Sequence, residues 1–155
     1  MNKIINILKE KKSIPLDKFI DIALYDKNFG YYMKKNPFGK KGDFITAPKI
    51  SRLFSETLAI WTISFWRSIG SPKKFNLIEL GAGDGEMMKI LIETLKNFPE
   101  FFNSCNFKIH EKSDKLISIQ KKNINYSKIS WIKNIKKLNS IPSIFLANEF
   151  FDAIP

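Results

Sequence analysis

The chain has 155 residues, 44% of them hydrophobic and 14% aromatic, enough for one folded domain with a real core. Its net charge is +11, yet only Arg52 and Arg67 among its 26 basic residues are arginine; lysines spread over every segment read as a solvated face, so a nucleic-acid partner is not expected. The lone Cys105 excludes an internal disulfide, the lone His110 leaves no His/Cys metal cluster, and the longest apolar stretch, around Leu58–Trp66, falls far short of the roughly 20 residues of a membrane span.

In chain order, residues 2–11 place Ile4, Ile7 and Leu8 at helical spacing. Asn6 and Lys9 interrupt the apolar pairs, so neither a signal nor a transit peptide is evident and a cytoplasmic location is expected. A second helix is expected from about Pro15, with Ser13 near its cap and Leu16, Phe19, Ile20, Ala23 and Leu24 as its buried stripe. Both helices are expected to pack on a sheet and bind nothing. From Asp26 to Pro48, glycines and prolines punctuate aromatic residues, which suits either a packed connector or a lid over a ligand. Residues 50–69 read as one long helix with Leu53, Phe54, Thr57, Leu58, Trp61, Phe65 and Ile69 on its core side, stopped by Gly70-Ser71-Pro72.

Phe75–Glu86, FNLIELGAGDGE, then turns an apolar strand into a helix through glycines at alternate positions. Such glycines allow positive φ and let a ligand approach the main chain, while the helix start offers unpaired N–H groups. A dinucleotide fingerprint needs its third glycine where Glu86 stands. The spacing Gly81, Gly83, Gly85 suits a ligand without phosphates, such as S-adenosylmethionine, with Glu79 placed to receive its ammonium group. The next strand, Asn106–His110, ends at Glu111, an acid placed for both ribose hydroxyls. The competing reading makes Glu79 and Glu111 ordinary strand-end acids and the glycines a plain turn.

Phe98–Ser104 reads as an insertion, Ser113–Lys122 as a helix capped by Ser113, Lys128–Ile132 as a third strand and Pro142–Ala147 as a fourth, buried and parallel. Trp131 is suited equally to stacking on adenine and to the core. Strands alternating with helices predict an α/β three-layer sandwich around a parallel sheet. Right-handed crossovers put strand one in the middle, three and two on one side and four on the other, with the ligand at the carboxyl ends.

These residues resemble the MidA-type (DUF185) class I S-adenosylmethionine-dependent methyltransferases. The resemblance covers ALYDKNFGYYM (Ala23–Met33), FGKKGDFITAPKIS (Phe38–Ser51), IWTISFW (Ile60–Trp66), IELGAGDGEMM (Ile78–Met88), HEKSDKLISIQ (His110–Gln120) and LANEFFDAIP (Leu146–Pro155). It implies a Rossmann-like domain from residue 73 onward behind an N-terminal helical and lid region of residues 1–72, in which Asp43 and Thr46 are the polar lid candidates. It also implies a protein arginine side chain as methyl acceptor and a part in respiratory complex I assembly. Members are more than twice as long, so the chain reads as an N-terminal portion with an incomplete sheet, expected to be at best a weak cofactor binder by itself. Lys49, Arg52, Ser55, Ala82 and Lys89 stand where Glu, Gln, Gly, Pro and Asp are usual; Lys49 and Arg52, beside GDFITAP, put the lid in question.

A guanidinium acceptor calls for carboxylates that hold its fork. Glu149 and Asp152 in NEFFDAIP are the candidates, read as lying in an apolar setting beside Phe150 and Phe151. An RNA methyltransferase and a non-catalytic, cofactor-binding assembly chaperone are the alternatives.

Overall fold

The computed structural model of the chain describes residues 2–11, 13–34 and 47–154. Among the described residues, five helices precede the sheet: α1 (Asn2–Lys11), α2 (Leu16–Tyr25), α3 (Tyr31–Lys34), α4 (Ala47–Ile50) and α5 (Arg52–Ser68). Then come β1 (Phe75–Leu80), α6 (Glu86–Leu95), α7 (Pro99–Ser104), β2 (Cys105–His110), α8 (Asp114–Asn123), β3 (Ser130–Ile132) and β4 (Ser143–Leu146). The four strands form one parallel sheet in the order β3-β2-β1-β4, as right-handed crossovers require. Among the described residues no helix is long and apolar enough to cross a membrane.

Every residue of β1 is buried, as a central parallel strand demands. One face of the sheet, carrying Phe75, Leu77, Phe107, Ile109, Ile144 and Leu146, joins Met87, Met88, Leu91 and Leu95 of α6 and Ala59, Ile63 and Trp66 of α5 in one core. The segment read as an insertion is the short helix α7, whose Phe101 fills the base of this core against Trp66 and Phe75 at ring distances of 5.5 and 5.0 Å. Cys105 is buried at the start of β2, and burial pushes its thiol up.

Two helix faces differ from expectation. In α5 the buried stripe is Ser55, Ala59, Thr62, Ile63 and Trp66, whereas Leu53 and Trp61 of the expected core side are 67% and 51% exposed. The helix is apolar nearly all round, and small side chains at Ser55 and Ala59 allow the closer approach to α6. Its other apolar side forms a groove of about 710 Å³ with edge strand β4, where Phe145 is 45% exposed. Helix α2 buries none of its residues. Its N-cap is Pro15, whose carbonyl accepts from the Phe19 N–H at 2.9 Å, and Ser13 gives no side-chain cap.

Candidate functional site

The glycine turn sits where β1 leaves the sheet. Gly81, Gly83 and Gly85 have φ of +65°, +56° and +87°, a region costly for other residues. Gly81 N–H donates to the His110 carbonyl at 3.0 Å, which ties the turn to the tip of β2, and Gly85 N–H closes the turn on Ala82 O at 2.7 Å. Gly85 caps α6, and a Cβ there would come within 2.9 Å of Ile124 Cδ1. Its smallness therefore serves the approach of α8, and Gly85 is not on the wall of the cavity that Gly81 and Gly83 line.

That cavity, of about 580 Å³, is of a size for a nucleoside-like ligand. Glu79, Gly81–Asp84, His110, Glu111 and Ile135 line it from the sheet side, and Asn148, Glu149, Phe150 and Asp152 from the loop after β4. Leu24 and Tyr25 of α2, Tyr32 of α3 and Pro48 of α4 close it. So α2, expected to bind nothing, is part of the wall. Two contacts hold this wall down: Tyr25 Oη donates to Ala153 O at 2.8 Å and Ser113 Oγ donates to Tyr32 O at 3.0 Å. Burial raises the Tyr25 hydroxyl to about 12. Asp43 and Thr46 lie outside the described residues.

The two acids that end β1 and follow β2 differ in their partners. Lys112 and Ser113 N–H both donate to Glu111 Oε1 at 2.9 Å, and Gln120 Nε2 donates to Oε2 at 3.2 Å. Burial raises the Glu111 pKa, and these donors pull against the rise. Glu79 is 3% exposed and its Oε2 has no partner among the described residues. Burial, with the charges of Asp84 and Glu111, lifts its pKa to about 8. A buried carboxyl with an orphaned oxygen in a cavity suits an arriving cation. His110 Nδ1 is likewise buried without a partner, and burial together with Lys112 lowers its pKa.

Gln120, which its sequence position presents as one more helix residue, is the hub of the site. Besides Glu111 its Nε2 donates to Gly83 O at 2.9 Å, and its Oε1 accepts from Trp131 Nε1 at 2.8 Å. Trp131 is thereby a support for Gln120 and does not reach the cavity wall. The one legible hint was the position of Gln120 on the stripe of Leu116 and Ile117, all three buried.

Glu149 and Asp152 reach the cavity but are exposed. The apolar setting expected for them is absent, because Phe150 turns inward over Gly81 while Phe151 is 69% exposed. Glu149 has φ of +50°, an unusual state for a residue with a side chain.

Residues 57–155 match the family described as "Putative S-adenosyl-L-methionine-dependent methyltransferase". The chain belongs to this family. Among relatives, it is 32% identical over 179 residues to "Protein arginine methyltransferase NDUFAF7, mitochondrial" of Xenopus tropicalis, covering all of this chain and 42% of that protein. It is 33% identical over 166 residues to the Drosophila melanogaster homolog, covering 92% of this chain and 37% of that one. A COG1565 superfamily structure from Burkholderia thailandensis, bound to S-adenosyl-homocysteine, superposes with a TM-score of 0.85 at 23% identity over 99% of this chain and 41% of its own. That likeness shows the fold, class I methyltransferase-like with an incomplete sheet. The chain thus spans about two fifths of the length of these family members.

Proposed function

We propose that this chain supplies the cofactor half of an S-adenosylmethionine-dependent protein methyltransferase acting on arginine. The observation that carries the reading is the pairing of two unlike acids across one cavity. Glu79, buried with a free oxygen, would take the ammonium group; Glu111, already oriented by Lys112, Ser113 and Gln120, would take the ribose hydroxyls. The positive-φ turn between them puts the bare main chain of Gly81 and Gly83 on the cavity wall, with Phe150 packed over Gly81. The family's cofactor supplies an electrophilic methyl group on a sulfonium, and the protein's share is alignment, which contributes roughly 7–11 kcal/mol in well-oriented reactions. Glu149 and Asp152, at the open edge of the cavity, would hold the two sides of a guanidinium fork. The relatives named as arginine methyltransferases support this choice of acceptor.

The exposure of both acceptor acids also favours a second reading, a cofactor-binding assembly protein that transfers nothing. The test is titration calorimetry of the chain with S-adenosyl-homocysteine, then transfer of labelled methyl from S-adenosylmethionine to an arginine-rich protein and to RNA. Binding with transfer to protein supports the first reading and binding without transfer the second. Transfer to RNA with a steep salt dependence overturns both, and preference for NAD overturns the cofactor assignment.

A further inference from the structure

We propose that the ion pair between Lys49 and Asp84 is a clamp that positions the cofactor, fastening α4 on the glycine turn so that Pro48 forms one wall of the cavity. The proposal rests on the cofactor reading above. Lys49 Nζ pairs with Asp84 Oδ2, and the two side chains are 23% and 12% exposed. This is not a rim contact of the kind that water and salt screen to nothing. The preceding Pro48 is buried on the wall of the cavity, with Asp84 on the same wall.

Charge gives the pair a second task. Glu79, Asp84, Glu86 and Glu111 gather around the turn, and Asp84 and Glu111 already act to keep Glu79 protonated. A zwitterionic ligand must bring a carboxylate as well as an ammonium into this acidic surrounding. An unpaired Asp84 would oppose the carboxylate; paired with Lys49 it opposes it less. The other two basic departures from the family pattern fall on nearby acids too, Arg52 on Glu56 and Glu93 at 2.7 and 2.9 Å and Lys89 on Glu86 at 3.4 Å. Of the three, Lys49 alone meets the turn itself.

The test is a double-mutant cycle read by calorimetric affinity for S-adenosyl-homocysteine, with melting temperature followed in parallel. Lys49→Met keeps the aliphatic stem and removes the charge; Asp84→Asn keeps the shape and removes the partner. Each is expected to weaken binding about tenfold, Lys49→Met the more because it leaves the Asp84 charge unpaired, and the double variant no more than Lys49→Met, because all three break the same clamp. Lys49→Arg is expected to retain affinity, and melting temperatures are expected to stay close to wild type. Unchanged affinity in the single variants, or losses that multiply to about a hundredfold in the double variant, would overturn the clamp while leaving the cofactor reading intact. A parallel fall of melting temperature and affinity in all variants, with no rescue by Lys49→Arg, would reduce the pair to a structural contact and also overturn it. A wild-type chain that does not bind the ligand would overturn both.

Discussion

The glycine turn and the loop after β4 face each other across one cavity and are built on opposite principles. At the turn the polar groups are buried and most have a named partner: Gly81 on His110, Glu111 on three donors, Gly83 on Gln120. In the loop, Glu149 and Asp152 are exposed, and the loop is pinned near its end by Tyr25. A buried network is rigid because any displacement leaves a polar group unpaired. An exposed loop pays no such penalty and can adapt. On the proposed reading, recognition of the cofactor would be preorganised at the turn, whereas recognition of an acceptor would be left to the exposed edge.

The contrast breaks most sharply at Gly83. With φ of +56°, Gly83→Val brings strain of about 1–3 kcal/mol and a branched side chain to the wall of the cavity. Loss of S-adenosyl-homocysteine binding by more than about a hundredfold is expected, with circular dichroism showing the fold retained. Gln120→Glu should come next. It would set a second carboxylate 3.2 Å from Glu111 Oε2 and remove the donor to Gly83, so affinity should drop on the order of a hundredfold at neutral pH and recover in part on acidification.

Glu79 yields a signature in protons. Its pKa of about 8 lies above the ordinary 4.5, so between these values the unfolded chain gives up a proton that the folded chain keeps. Stability should therefore fall as pH rises through that window and level off above it, and Glu79→Gln should flatten the curve. An arriving ammonium favours the ionised carboxylate, so ligand binding at pH 7 should release close to one proton. Calorimetry in buffers of different ionisation enthalpy would measure the release, which Glu79→Gln should abolish along with about tenfold in affinity. Binding without proton release would move the ammonium elsewhere.

The smallest effect on the cofactor is expected at the loop. Glu149→Gln should leave S-adenosyl-homocysteine affinity within about twofold and lower methyl transfer to an arginine-bearing protein. Equal loss of both would erase the division of labour between the two regions.

What could be read from the sequence follows the same division. The strand order, the strand ends and the turn at Gly81–Gly85 were legible because chain connectivity and positive φ leave few options there. The buried face of α5 was not, since a helix with two apolar stripes has no period that says which one meets α6. Nor was the Lys49–Asp84 pair, because opposite charges far apart in a lysine-rich chain give no signal of contact. Glu149 and Asp152 were placed at the right edge, but the inward turn of Phe150 and the outward turn of Phe151 depend on backbone angles that residue types do not fix.

Trp131 gives the site a direction. A glutamine amide can usually turn over and exchange its oxygen and nitrogen at little cost, but an indole N–H only donates. With Trp131 on Gln120 Oε1, the nitrogen has to face the two acceptors, Gly83 O and Glu111 Oε2. A tryptophan outside the cavity thus acts as a one-way ratchet on a side chain two contacts from any ligand. Trp131→Phe, which keeps an aromatic ring but loses the donor, would remove the lock on Gln120 Oε1, and a turned amide would then set oxygen against oxygen at Gly83 O and Glu111 Oε2.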